Sequence, residues 1–300
     1  MPSARVLWQR ATLIQTIRAF FVDRGYLEVD TPVRIPAPAP ELHIEAEPAG
    51  EWFLQTSPEL CMKRLLAAGL PRIFQICKCF RRHERGSRHL PEFTMLEWYR
   101  SDSDYHDLMV ECEELFRFLA DGLGLGGKIT VAGQEVALAG PWERLTVAEA
   151  FRRHGSMSAA QALAGGCFDE VLVGEIEPRL GLVTPTFLFD YPAELGALAR
   201  LKPGDATVAE RFEIYVAGLE LANGFSELTD PVEQRRRFEY DRARMAQLGR
   251  NPGPMPEPFL DALAHLGPAA GIALGVDRLV MVMAGADAMD QVVPFTPETL

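Results

Sequence analysis

The chain has 300 residues, of which 48% are hydrophobic and 24% charged, and a formal net charge of −12. This is the balance of a soluble globular protein with a sizeable core; no apolar run approaches the roughly 18 residues of a membrane helix, and the acidity disfavours a broad nucleic-acid face while leaving room for a local phosphate site. Five cysteines, Cys61, Cys77, Cys79, Cys112 and Cys167, form no CxxC pair and so argue against a disulfide framework or a structural zinc site, and an opening MPSARVLWQR without an apolar stretch predicts no signal peptide and a cytoplasmic location.

Residues 4–24 carry Leu7, Leu13, Ile14, Ile17, Phe20 and Phe21 near helical spacing, with Gly25 where a C-cap belongs. YLEVD predicts a short strand stopped by Pro32, and four prolines between 32 and 40 predict an extended connection. Ser57-Pro58-Glu59 reads as an N-cap, a first-turn proline and a first-turn acid, opening a helix that runs to Gly69. Strands are predicted at 73–81 and 93–100, and a helix at 104–121. The stretch 122–205 is mixed, with Thr146 and Glu149 forming a capping-box pattern and a strand at 186–191. Further strands are predicted at 211–217 and 219–228, then a charged helix at 231–248 with a solvated face, a strand at 271–276 and a helix from DRLVMVMAG. There is no repeat, no low-complexity tract and no linker that divides the chain.

GLGLGGK (122–128) contains GxGxxG and most of a P-loop. Ile129 stands where a P-loop needs Ser or Thr, and a helix rather than a strand precedes the glycines. A helix C-terminus followed by a flexible turn is the better account.

The stretch FRRHERGSRHLPEF (80–93) is a basic island in an acidic chain. Strand side chains alternate faces. In 73–81, Gln75, Cys77, Cys79 and Arg81 share one face; in 93–100, Phe93, Met95, Glu97 and Tyr99 share another, and a hairpin merges the two. Arg81 then meets a phosphate through its planar fork, Arg88 and His89 reach further phosphates, and Phe93 offers a ring for a base, worth roughly 1–3 kcal/mol by analogy with nucleic-acid stacking. A solvated hairpin tip is the plainer alternative. Far along the chain, Glu213 and Glu220 flank a tight hairpin, a carboxylate pair suited to Mg²⁺ beside phosphates. Asn223, Phe225 and Glu227 alternate onto one face; Glu220 joins them only through a bulge, expected at the Asn223-Gly224 pair. Arg278 opens a helix, where its charge opposes the dipole unless an anion compensates.

Taken together, these stretches resemble the class II aminoacyl-tRNA synthetases, and the lysyl-tRNA synthetase catalytic domain above all. GYLEVDTP resembles motif 1, IFQICKCFRRHE with RHLPEFTMLE resembles motif 2, and GIALGVDRLVM resembles motif 3; TSPELCMKRLL, FLFDYPAELGALA and RFEIYVAGLELANGFSELTD match as well. The resemblance implies an α+β fold, an antiparallel β-sheet flanked by helices, in a single catalytic domain over 1–300 with 122–205 as a mixed region between motifs 2 and 3. Position by position it implies that Arg81 grips the α-phosphate and Arg278 the γ-phosphate of ATP, with Arg88 and His89 on the triphosphate tail, Phe93 against adenine, and Glu213 and Glu220 on Mg²⁺. It puts Ser57, Glu59, Glu97, Tyr99, Asn223 and Glu227 around the amino acid. The adenine-reading acid of the family falls on His83, with Glu84 next to it; which of the two takes that role is open, and Leu90 replaces the usual asparagine. Motif 1 implies a homodimer.

Three glutamates on one small site repel and raise one another's pKa unless cations lie among them, so a diamino acid fits. Lysyl-tRNA synthetases carry an N-terminal anticodon-binding domain of about 150 residues, one domain's worth; this chain starts at the helix before motif 1 and shows none. A free-standing core of this kind resembles the bacterial elongation factor P β-lysine ligases, as do TSPE, TMLEWYR and the GxALGVDR form of motif 3. Ala273 stands there in place of a lysyl-enzyme glycine, and one methyl reshapes a pocket by roughly 1–3 kcal/mol, which favours β-lysine over α-lysine. The implied activity is ATP-dependent activation of (R)-β-lysine and its transfer to a lysine of elongation factor P, without tRNA or membrane. The alternatives are a minimal enzyme charging tRNA with lysine, a non-catalytic amino-acid-sensing paralogue, and a ligase making a small amide.

Overall fold

The computed structural model describes residues 2–300. Helix α1 (Ala4–Asp23) starts where the Ser3 hydroxyl accepts from the Val6 N–H and buries Leu13, Ile17, Phe20 and Phe21 along one stripe. Strand β1 (Leu27–Glu28) follows, shorter than YLEVD predicts because only two residues pair, parallel, with Ile73 and Phe74. The proline-rich connection carries a small ribbon of β2 (Arg34–Ile35), β3 (Pro48–Ala49) and β4 (Trp52–Leu54). Helix α2 (Glu59–Ala67) leads to the hairpin β5 (Arg72–Phe80) and β6 (Glu92–Ser101), and α3 (Tyr105–Gly122) opens on a reciprocal cap between Asp104 and Asp107.

The mixed region resolves into the hairpin β7 (Lys128–Val131) and β8 (Gln134–Ala137), strand β9 (Glu143–Thr146), then α4 (Val147–His154), α5 (Ala159–Gly165) and α6 (Phe168–Val171). The capping box of Thr146 and Glu149 starts α4 as expected. A π-helical turn (Leu172–Ile176) leads to β10 (Thr186–Pro192), β11 (Leu201–Lys202), β12 (Asp205–Val216) and β13 (Leu219–Ser226). The chain ends with α7 (Pro231–Gln247), α8 (Glu257–Leu263), β14 (Ala269–Gly275) and α9 (Val276–Ala284). Glycines 124, 126 and 127 all have positive φ in the turn between α3 and β7, so the P-loop look-alike is a helix end and a turn.

One sheet runs β1-β5-β6-β14-β13-β12-β10-β9, with β11 added beside β12. It is antiparallel from β5 through β10 and parallel only at its two edges, so the expected α+β class holds. Helices cover both faces. On one, α1, α3 and α9 bury Phe21, Phe74, Trp98, Leu108 and Phe116. On the other, α2, α7 and α8 pack Met62, Leu66, Phe238 and Phe259 near Tyr99 and Phe225. A third cluster, with Phe151, Phe168 and Leu188, fastens α4 to α6 onto β10. The second face is left partly open, and the site lies there.

Candidate active site

Register decides which side chains meet. Gln75 pairs with Glu97, Glu97 with Ala273, Ala273 with Asn223 and Asn223 with Glu213, a single row across five strands. The next row runs Ile73, Tyr99, Gly271, Phe225, Arg211, and Cys79 faces Phe93 one step before Arg81. Neighbouring strands are ~4.8 Å apart, so the row gathers residues separated by up to 198 positions in sequence (Gln75 to Ala273) into a line of roughly 19 Å. The expected bulge exists, but at Leu221: Ile214 pairs with Ala222 and Tyr215 with Glu220. The extra residue at Leu221 brings Glu220 onto the Asn223 face, two positions before the Asn-Gly pair.

Arg81, Glu84, Arg88, His89, Phe93, Glu220, Asn223, Ala273 and Arg278 line one cavity of about 850 Å³. The Arg81 guanidinium lies over the Phe93 ring, 5.2 Å from its centroid, and its Nε is buried without an acceptor. A buried orphan donor is costly, and a phosphate oxygen would satisfy it. Arg278, in the first turn of α9, donates to the Glu220 carbonyl (2.8 Å) and to its carboxylate (3.2 Å), the compensating anion the helix dipole calls for. Its other nitrogens meet the Arg88 carbonyl and His89 Nε2. Burial, then the Arg278 charge, holds His89 below the usual histidine range. His83 does not join them: it is exposed, with φ at 66°, and that left-handed turn leaves Glu84 rather than His83 on the cavity wall.

The amino-acid residues form a second, drier cluster. Ser57 Oγ accepts from the Glu59 N–H (3.0 Å) and donates to Glu97 Oε1 (2.6 Å), and the Tyr99 hydroxyl donates to Glu97 Oε2 (2.7 Å). The sequence predicts Ser57 as both the N-cap and part of the amino-acid pocket; the N-cap position of α2 is Pro58, and Ser57, one residue earlier, bridges Glu59 to Glu97. Glu97 and Glu227 are buried, and burial followed by repulsion from Glu59 pushes Glu97 up to about 8. Burial also pushes Glu227 up to about 8, against the pull of Lys63. Gly271 has to be glycine: a Cβ there would strike the Tyr99 ring and lie 2.6 Å from Glu227 Oε1.

Several residues of the site have no role in the sequence reading. Lys63, buried at 1% exposure, forms ion pairs with Glu59 and Glu227 and lies 5.0 Å from the Phe225 ring. Burial alone would lower its pKa; Glu227 and Glu59 outweigh that and hold it above the ordinary lysine range. The glutamates thus already hold one cation of the protein's own, and the Glu59–Lys63 spacing of four on a helix was the available signal. Gln75 is buried with both amide atoms unpartnered, at the end of the row beside Glu97. Arg211 donates to Asn223 Oδ1 (3.0 Å) and Glu213 Oε1 (2.6 Å), and shares the Glu213 face. Glu41 lines the cavity from the proline-rich connection. Helix α7, expected to be only a solvated face, supplies Glu233, Arg236, Arg237, Tyr240 and Asp241 to the mouth.

Among the described residues no three acidic, histidine or cysteine side chains gather to hold a metal. Glu213 is already engaged, Oε1 by Arg211 and Oε2 by the hydroxyls of Tyr191 (2.6 Å) and Tyr215 (2.7 Å). Glu220, at 36% exposure beside Arg278, keeps a free oxygen on the cavity wall. That donor set fits Mg²⁺, which takes one or two carboxylates and completes its shell with phosphate oxygens and water.

The class II tRNA synthetase family (D, K and N) matches the chain over residues 2–299. The elongation factor P–(R)-β-lysine ligase of Vibrio atlanticus (strain LGP32) is 40% identical over 98% of this chain and 97% of its own length. Those of Erwinia tasmaniensis (strain DSM 17950 / CFBP 7177 / CIP 109463 / NCPPB 4357 / Et1/99) and Salmonella heidelberg (strain SL476) are 40% and 39% identical, over 98% of this chain and 96% of theirs. The chain belongs to the class II synthetase family, among these ligases. In class II terms, motif 2 is the β5–β6 hairpin and motif 3 is β14 with the start of α9, adjacent strands of one sheet. The family's ligases use ATP and Mg²⁺ in general.

Proposed function

We propose that the chain activates (R)-β-lysine with ATP and transfers it to a lysine side chain of elongation factor P. The observation that carries this reading is the cross-strand row: it joins an arginine-lined cavity to a buried acidic cluster through Ala273 and Asn223. A carboxylate bound at that junction has its ammonium groups toward Glu97 and its oxygens toward Arg81 and Arg211.

In the first step the β-lysine carboxylate attacks the α-phosphate in line and pyrophosphate leaves. Arg81 stabilises the charge that grows on the α-phosphate, Arg278 holds the γ-phosphate, and Arg88 and His89 steady the tail. Phe93 stacks on adenine and Glu84, rather than His83, reads its amino group. Glu220, with Glu213, would hold Mg²⁺, which would supply neutralisation of the triphosphate charge. Ser57, Glu59, Glu97, Tyr99, Asn223 and Glu227 hold the amino acid, and the Ala273 methyl between Glu97 and Asn223 selects the β isomer. In the second step the acceptor amine attacks the acyl-adenylate, where positioning does much of the work.

The same reading makes residues 1–300 one catalytic domain that works as a homodimer, in the cytoplasm, without tRNA. No helix among the described residues is long and apolar enough to cross a membrane. Mass spectrometry of elongation factor P incubated with the protein, ATP and each lysine isomer tests it. A β-lysyl mass shift with (R)-β-lysine and little with α-lysine is expected; charging of tRNA with lysine instead would replace this reading with that of a minimal synthetase.

A further inference from the structure

A lysine acceptor arrives as an ammonium, because its side chain titrates near ~10.4. An ammonium has no lone pair with which to attack, so a proton has to leave at the site. We propose that Glu41 is the general base that takes it, an inference that rests on the two-step ligation above.

Glu41 lies outside the class II motifs, on the connection between β2 and β3. Residues 41–44 of that strap form part of the cavity wall. The strap is tied down just after Glu41: the Leu42 carbonyl accepts from Arg250 (2.5 Å), and the Glu45 carbonyl accepts from the Arg82 N–H (2.8 Å). Arg81 at the end of β5, Arg211 on β12 and Asp241 on α7 line the same cavity as Glu41, and their charges, with that of Glu59 at the start of α2, bear on its carboxylate. Among the described residues no hydrogen bond or ion pair engages it. By contrast Glu59 and Glu227 hold Lys63, Glu97 takes two hydroxyls, Glu213 takes Arg211 and two tyrosines, and Glu220 takes Arg278. A bare carboxylate therefore shares the cavity with the arginine assigned to the α-phosphate, where the acyl–phosphate bond is to break.

Its proton affinity suits the task. Burial, then the Glu59 charge, outweighs Arg81 and Arg211 and pushes the Glu41 carboxyl up to about 7, near the pH at which a general base works best. Asp241, the other unengaged acid facing it, belongs to the mouth, where its charged neighbours are His43, Arg237 and Arg244 rather than Arg81.

The step balances as follows. Glu41 takes one proton from the acceptor ammonium. The freed lone pair forms the C–N bond as the bond from the acyl carbon to the AMP phosphate oxygen breaks. AMP leaves with that electron pair, and the surplus proton on the new amide nitrogen passes to its phosphate.

Single-turnover transfer from preformed β-lysyl-adenylate tests this with wild type, E41Q and E41D. Elongation factor P is one acceptor; hydroxylamine, whose nitrogen is unprotonated at neutral pH, is the other. E41Q is expected to slow transfer to the protein lysine by roughly 10²–10⁴-fold, E41D by less, while hydroxylamine capture and ATP–pyrophosphate exchange persist and report that the variants are folded. Wild-type transfer is expected to rise through about pH 7, a rise absent in E41Q. Wild-type transfer by E41Q overturns the proposal, and so does parallel loss of hydroxylamine capture or exchange, which makes Glu41 a substrate-binding group. Wild type that forms no adenylate, or transfers none, fails the ligation itself and takes the base with it.

Discussion

The proposed phosphate side and the proposed amino-acid side of this site are charged in opposite senses and built in opposite ways. Arg81, Arg88 and Arg278 stand around an open cavity, tied mainly to carbonyls and to one another's neighbours. Glu97 and Glu227 are nearly sealed from solvent and bound to Ser57, Tyr99 and Lys63. The difference follows from the ions. A guanidinium is weakly hydrated and keeps its charge in almost any surroundings, so a phosphate grip can stand open and ready. A carboxylate can take up a proton, and three of them buried together do so unless a cation intervenes. The anion site is preformed, and the cation site is kept neutralised until its ligand arrives.

Two substitutions set the halves against each other. Lys63→Met removes the cation between Glu59 and Glu227, and breaking a buried pair costs roughly 3–5 kcal/mol. The denaturant midpoint should fall sharply with the slope unchanged; an unmoved midpoint would mean the glutamates neutralise themselves by protonation and need no lysine. Arg81→Ala should do the reverse. Its side chain makes no hydrogen bond that holds the fold, so the midpoint should stay close to wild type, while ATP–pyrophosphate exchange falls by roughly 10²–10³-fold, the scale for losing one preorganised donor to developing charge. Retained exchange in Arg81→Ala would remove that arginine from the mechanism.

The same contrast explains what was legible in the sequence. Much of the phosphate side was readable because Arg81, Arg88, His89 and Phe93 are close in the chain and strand alternation carries their face on to Glu97. Glu220 needed a bulge, and its existence followed from counting even though its position at Leu221 did not, since a bulge is fixed by how two strands pair and not by either alone. The amino-acid side was only half readable. Its acids were visible, but Lys63 points inward from α2 only because α8 and β13 pack around it, a tertiary choice that helical spacing alone leaves open. Gln75 was placed on the right face but given no role, because an amide advertises no charge. Glu41 could not be found at all from pattern: its connection has no period, and the fold alone brings it into the cavity that Arg81 lines.

The neutralised state of the acidic cluster also has a sign that can be measured. Glu97 and Glu227 are each raised from 4.5 to about 8 in the fold, so between those values the folded protein holds protons that the unfolded chain has released. Their contribution to stability is whole below about 4.5 and is lost as the pH rises through about 8. A diammonium ligand reverses the balance, because it favours the ionised carboxylates. Binding of β-lysine at pH 7 should therefore release protons, and its calorimetric heat should shift between buffers of different ionisation enthalpy. The rise in melting temperature it produces should grow from pH 6 to pH 8. This is the smallest of the effects, a fraction of a proton to about two protons per site by linkage, yet it separates the two halves most directly. If the heat is the same in every buffer, the glutamates are already ionised in the empty site, and Lys63 with Ser57 and Tyr99 is enough to carry their charge.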